Sequence, residues 1–209
     1  MLEVLTNPNG FFKKKINQDI EWKTPLIIMA LMAIVGSITI YITLINIFQS
    51  MVSLDFLEGA GKIIIAIILI IVSIISVVVF WILYTAIFYV ISVILKGEGD
   101  FKRLMQFVSY GFIPNIVSSI VGAYYTSKVF ANIDFATVDP VMMQEMILSD
   151  PSLKIASAIG IIFTLWSANI WIFGIMYSRN LSLKNAIITV GIPVGLSVLY
   201  TILTVFILV

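Results

Sequence analysis

The chain has 209 residues, 61% hydrophobic and only 11% charged, against about 45–50% and 25% in soluble domains, so no water-soluble fold of this size hides its apolar surface. Its formal net charge of +1 gives nucleic-acid binding no support, and the absence of cysteine and histidine excludes disulfides, thiolate chemistry and the commonest general base and metal ligand. A mean hydropathy of +1.13 points to the bilayer as the solvent, and the length suits one domain of several spans with short connections.

Residues 1–24 read as a short cytoplasmic N-terminal segment and residues 25–209 as the membrane domain. Five uncharged stretches follow one another at 24–54, 63–95, 104–127, 155–178 and 185–209, each longer than the about 20 residues that a helix needs to cross the hydrocarbon core. Lipid offers the backbone no hydrogen-bond partners, and the ten-residue alternation of a membrane barrel is missing, so every span must be a helix. The predicted fold is all-α, a polytopic bundle of five transmembrane helices.

The first span is expected from Pro25, which suits a first helical turn, to the polar Asn46–Gln49 region, with Trp22 at the headgroups. The second, 33 uncharged residues, would be about 50 Å long and must tilt, bend or protrude. Tyr84, Phe88 and Tyr89 are expected to anchor its end at the interface. Gly111, Pro114 and Gly122 in the third span, and Gly191, Pro193 and Gly195 in the fifth, predict kinks. Between spans three and four, Asp139-Pro140 and Asp150-Pro151 each place a capping carboxylate before a first-turn proline. A short extracytoplasmic helix is expected from Pro140 to Leu148, with Met142, Met143 and Met146 as its apolar face.

With the N-terminus in the cytoplasm, nine cations lie inside: Lys13, Lys14, Lys15, Lys23, Lys96, Lys102, Arg103, Arg179 and Lys184. Only Lys62, Lys128 and Lys154 lie outside, together with the acidic Asp55, Glu58, Asp134, Asp139, Glu145 and Asp150. This positive-inside bias supports the cytoplasmic N-terminus, and five crossings then leave the C-terminus outside.

No ionisable residue falls within the spans, which argues against proton relays, voltage sensing and intramembrane proteolysis. Phosphate loops, H-E-x-x-H and dense calcium-loop spacing are also missing, so no catalytic residue, cofactor or metal site is expected and an enzyme is not. Asn115 and Asn169 stand near the midpoints of antiparallel spans and are a candidate interhelical polar pair. Small residues four apart, Ser118 with Gly122 and Gly191 with Gly195, are candidates for close helix packing.

Several segments, in order and spacing over nearly the whole chain, resemble the Ypt-interacting protein (Yip) family of five-span membrane proteins. They are Asn7-Pro8-Asn9-Gly10-Phe11-Phe12, Trp22-Lys23-Thr24-Pro25, Gly97-Glu98-Gly99-Asp100-Phe101-Lys102-Arg103-Leu104, Tyr110-Gly111 with Pro114, Trp166, and Leu181-Ser182-Leu183-Lys184-Asn185-Ala186. The resemblance implies five spans, a cytoplasmic N-terminus and no catalytic residues. Eukaryotic relatives bind Rab-type GTPases, but with a longer N-terminal region and a D-L-Y-G-P motif. Neither occurs here, so Rab-type binding is not expected and the chain looks like a prokaryotic member, which implies the plasma membrane.

The leading expectation is a non-enzymatic protein that organises membrane or binds other membrane proteins, with Lys13, Lys14, Lys15, Lys102, Arg103, Arg179 and Lys184 as candidate lipid or partner contacts. The alternative is a small-solute or ion transporter or channel using unwound backbone near Pro114 or Pro193. A polar-lined cavity reaching Asn115 would favour transport.

Overall fold

The structure is a computed structural model that describes residues 2–51, 60–131, 133 and 139–207. Among these, all regular structure is helical: α1 Leu2–Thr6, α2 Pro8–Lys15, α3 Lys23–Met51, α4 Ala60–Ile94, α5 Phe101–Tyr110, α6 Ile113–Ala131, α7 Pro140–Ser149, α8 Pro151–Ser178 and α9 Leu183–Ile202. A π-helical turn, Leu203–Ile207, continues α9. Isoleucine-rich runs such as Ile63–Ile71 in α4 are mediocre helix formers in water. In hydrocarbon the backbone can satisfy itself only within a helix, and this constraint overrides propensity.

Four segments are long and apolar enough to cross a bilayer alone: Lys23–Ile42, Ile63–Ile94, Pro151–Ser178 and Leu183–Ile207. A fifth candidate crossing is a bent pair of helices. α5 and α6 qualify only as a pair, bent by 43° at Gly111–Phe112. The chain is therefore an all-α, polytopic membrane protein, and the kink expected within 104–127 is a complete interruption between two helices.

α8 is the hub, packing against α2, α5, α6, α7 and α9, while α3 pairs with α4 and α6. Ser73 Oγ donates to the Ala33 carbonyl at 2.8 Å and ties α4 to α3. At the start of α3, Trp22 meets Trp81 edge-on with ring centroids 6.2 Å apart. α4 then runs on from Ile82 to Ile94, about 20 Å past that level. Two of its aromatic residues turn into the bundle rather than anchor at an interface: Phe88 is fully buried and Tyr84 and Phe88 both pack on Trp171, while the half-buried Tyr89 meets Phe101 near the helix end. Spacing explains this, because Trp81, Tyr84, Thr85, Phe88 and Ser92 repeat at three and four residues and share the face turned to α5 and α8.

The core is concentrated at the end where α5 begins, with Phe12, Phe88, Phe107, Tyr110 and Trp171 among its largest buried side chains. The N-terminal helices belong to it. Val4 and Phe12 are fully buried, and Phe12 packs at 4.8 Å from Phe107 and 5.9 Å from Tyr110. At the opposite end α7 begins at Pro140 as expected, and Met143, Ile147 and Leu153 pack on Val129 and Ile133. Met142 and Met146 stay exposed. Asp150 caps α8 by accepting from the Ser152 N–H at 2.6 Å. Asp55, Glu58 and Asp134 and the Lys62 side chain lie outside the described residues.

Phe12→Ala is expected to cost about 3–5 kcal/mol, the usual range for truncating a buried phenylalanine. Denaturant unfolding in detergent measures the loss, and limited proteolysis should show α1 and α2 released before the spans.

Candidate functional site

The lysine-rich end of the bundle gathers the N-terminal helices, the α4–α5 turn, α5 and the α8–α9 turn. α4 and α8 both end there in Schellman motifs. Lys96 (φ 61°) and Asn180 (φ 48°) take the left-handed position, while Gly97 N–H donates to the Ser92 carbonyl and Leu181 N–H to the Met176 carbonyl. Arg179, the α8 C-cap, joins the two. Its Nε donates to Ser92 Oγ at 2.9 Å, its terminal nitrogens to the carbonyls of Gly97, at 2.6 Å, and Gly99, and its guanidinium lies 4.4 Å from the Tyr89 ring centroid. In return the Glu98 N–H donates to the Arg179 carbonyl at 2.8 Å.

A cation at two helix C-termini is favoured by both dipoles, and the planar fork matches two carbonyls at once. Gly99, at φ 139°, must be glycine, since a Cβ would stand 2.2 Å from the Ser178 carbonyl oxygen. The Gly97-Glu98-Gly99 sequence is therefore a receptor for Arg179. Expected as a lipid or partner contact, Arg179 is instead 2% exposed, because these carbonyls need its donors.

α5 enters the bundle from Asp100 and stops at Tyr110. Trp81 Nε1 donates to the Met105 carbonyl at 2.9 Å and Trp171 Nε1 to the Val108 carbonyl at 2.8 Å. Gly111 lets this happen: a Cβ there would stand 2.1 Å from Trp171 Nε1. Tyr84, Phe88 and Phe112 surround Trp171 with ring centroids 5.4–5.5 Å away. Pro114 is buried at the second position of α6, so it starts the new helix rather than bending an old one.

Gln106, fully buried, donates to the Glu21 carbonyl at 2.9 Å. Arg103 donates to Gln106 Oε1 and to the Gln18 carbonyl and lies 5.6 Å from the Phe107 ring. Both hold the segment leading into α3. The first motif is equally occupied. Asn7 caps α2 by accepting from the Gly10 N–H at 3.0 Å, and Asn9 accepts from the Tyr177 hydroxyl at 2.7 Å. Trp166 Nε1 donates to the Leu5 carbonyl at 3.1 Å.

Among the remaining candidates, Lys14 pairs with Glu3 at 2.6 Å and Lys15 with Glu21 at 3.2 Å. Lys13, Lys102 and Lys184 are exposed, with no ion pair among the described residues. Ser182 caps α9 by accepting from the Asn185 N–H at 3.3 Å, and Pro193 lies inside α9. The two asparagines do not meet. Asn115 Oδ1 accepts from Ser167 Oγ at 3.1 Å, whereas Asn169 is exposed; two residues turn a helix by about 200°. Gly122, Gly191 and Gly195 have open space where a Cβ would stand, so their spacing serves no close helix contact here. Trp81, Trp171 and Gln106 escaped the sequence reading. The available signal was an indole or amide in an apolar run, whose N–H needs a partner.

A family model described as Yip1 domain matches residues 2–205. An uncharacterized protein of the archaeon Methanocaldococcus jannaschii is 34% identical over 137 residues, covering 62% of this chain and 92% of the relative. No solved structure matches.

Arg179→Lys is expected to lower unfolding stability by about 2–4 kcal/mol, since an ammonium cannot reproduce the fork that bonds both carbonyls. Denaturation in detergent reads the loss, and an unchanged midpoint would contradict the lock.

Proposed function

The chain belongs to the Yip1 domain family, and we propose that it is a non-enzymatic membrane protein that organises the bilayer or binds membrane-protein partners through its lysine-rich end. The observation that carries this reading is a division of labour among the polar residues there. Arg179, Arg103, Gln106 and Asn9 spend their hydrogen bonds on the protein itself, which leaves a rigid collar. Lys13, Lys102 and Lys184 stand out from it exposed, each able to gain about 1 kcal/mol near an anionic surface.

In this reading residues 1–24 are the cytoplasmic segment, residues 25–209 form the membrane domain, and the protein sits in a prokaryotic plasma membrane with its C-terminus outside. The positive-inside distribution supports that orientation. Rab-type GTPases and cofactors have no part in it. The transport alternative draws little support, because the cavity of about 150 Å³ that reaches Asn115 is lined otherwise by Met29, Met32, Val77, Phe80, Tyr84 and Phe112. Six apolar or aromatic side chains make a poor path for a hydrated solute.

The absence of native cysteine makes topology directly testable. Lys102→Cys and Lys184→Cys should resist a membrane-impermeant thiol reagent added outside intact cells, and Ser149→Cys should react; the reverse pattern would contradict the orientation. Crosslinking in native membranes tests the contact surface. Each of Lys13→Glu, Lys102→Glu and Lys184→Glu should weaken recovery of an anionic partner about fivefold, and undiminished recovery from the triple variant would overturn the role given to the lysines.

A further inference from the structure

Along the long helices Thr39, Thr85, Ser119, Thr189 and Thr204 each donate to a carbonyl one turn earlier, the usual way for a hydroxyl to satisfy itself in lipid. Ser118 on α6, Ser157 and Thr164 on α8 and Ser197 on α9 do not: their hydroxyls make no hydrogen bond among the described residues. All four line one cavity of about 190 Å³, together with Gly160, Ile161, Val198 and Thr201. Three helices thus turn unspent hydroxyls toward a common space in the half of the bundle away from the lysine-rich end.

The chemistry of the walls defines what fits. Hydroxyls both donate and accept, so they complement a group that does the same. No charged side chain lines the cavity, and an ion there would lack a counter-charge in a medium that penalises it. The space exceeds the roughly 30 Å³ share of one water several-fold. α6 and α9 both pack on α8, and Ser197 is exposed, as are its neighbours Leu196 and Tyr200. The cavity therefore opens sideways to the bilayer.

The geometry points to a binding site for an uncharged, hydroxyl-bearing lipid of the diglyceride class, its hydroxyl and ester oxygens among Ser118, Ser157, Thr164 and Ser197 and its chains lying in the bilayer. Gly160 sets the room: a Cβ there would stand 3.9 Å from Ser118 Oγ, and a longer side chain would fill the space. This site is separate from the lysine-rich end and does not rest on the role proposed for it.

The test uses the full chain in nanodiscs of anionic phospholipid with a photoreactive diglyceride, the labelled peptides being mapped by mass spectrometry. Labelling should concentrate on the segments of α6, α8 and α9 that line the cavity, and unlabelled diglyceride should compete for it. Ser157→Ala combined with Thr164→Val, nearly isosteric changes, should reduce labelling roughly threefold or more. Gly160→Leu should abolish it. If Gly160→Leu fails to fold, the hydroxyl double variant decides alone. Labelling spread equally over the lipid-facing side of α4, absence of competition, or wild-type labelling in the double variant would overturn the proposal, the last being the result for a cavity that holds only water.

Discussion

A helix that stops inside a bundle leaves its last carbonyls without partners, and at Gly111–Phe112 this molecule meets that constraint in the interior of its core. Local bonds meet part of it, the Gly111 N–H donating to the Val108 carbonyl and the Phe112 N–H to the Ser109 carbonyl, and two indoles then bind this stretch to its neighbours. Trp81 reaches the Met105 carbonyl from α4 and Trp171 the Val108 carbonyl from α8, so α5 is held between the two helices that flank it. Because Trp171 must lie against the backbone, residue 111 can carry no side chain. Because Tyr84, Phe88 and Phe112 fill the space around the indole, α4 must continue well beyond the start of α3. The long α4 and the interruption at Gly111–Phe112 are two consequences of one packing arrangement.

The same end is closed a second time by Arg179. A buried guanidinium is costly unless its donors are met, and here two carbonyls and a hydroxyl meet them. The Gly97-Glu98-Gly99 turn has the backbone freedom to wrap it. Phe12 and Val4 complete the closure from the N-terminal side. The outcome is a stiff, aromatic, internally bonded collar at one end and a looser, hydroxyl-bearing cavity at the other. On the reading proposed above, the first is the surface for partners and the second the space for lipid.

Much of this architecture was legible in the sequence, because lipid simplifies the code. Charge-free stretches and capping pairs such as Asp150-Pro151 located the spans and α7, whereas spacing four apart pointed to Gly122, Gly191 and Gly195, which have open space at the Cβ position, and passed over Gly99. Side-chain direction was not legible. Asn115 and Asn169 sit at similar depth, yet a helix turns 100° per residue, and a two-residue difference selects Ser167 instead. Arg179 looked like any positive-inside cation, since the carbonyls that claim it come from a turn some eighty residues earlier. Gly111 and Pro114 announced an irregularity, but only the indole of Trp171 makes it a break. These are long-range pairings, and local pattern carries no record of them.

Hydrogen exchange of the full chain in lipid nanodiscs, read by mass spectrometry over Met105–Phe112, tests the indole-held break most directly. The account predicts strong protection of this segment in the wild type and loss of at least about tenfold of it, confined to this segment, in Trp171→Phe, which removes one hydrogen bond while keeping an aromatic ring. Rapid exchange in the wild type, or unchanged protection in the variant, would contradict it.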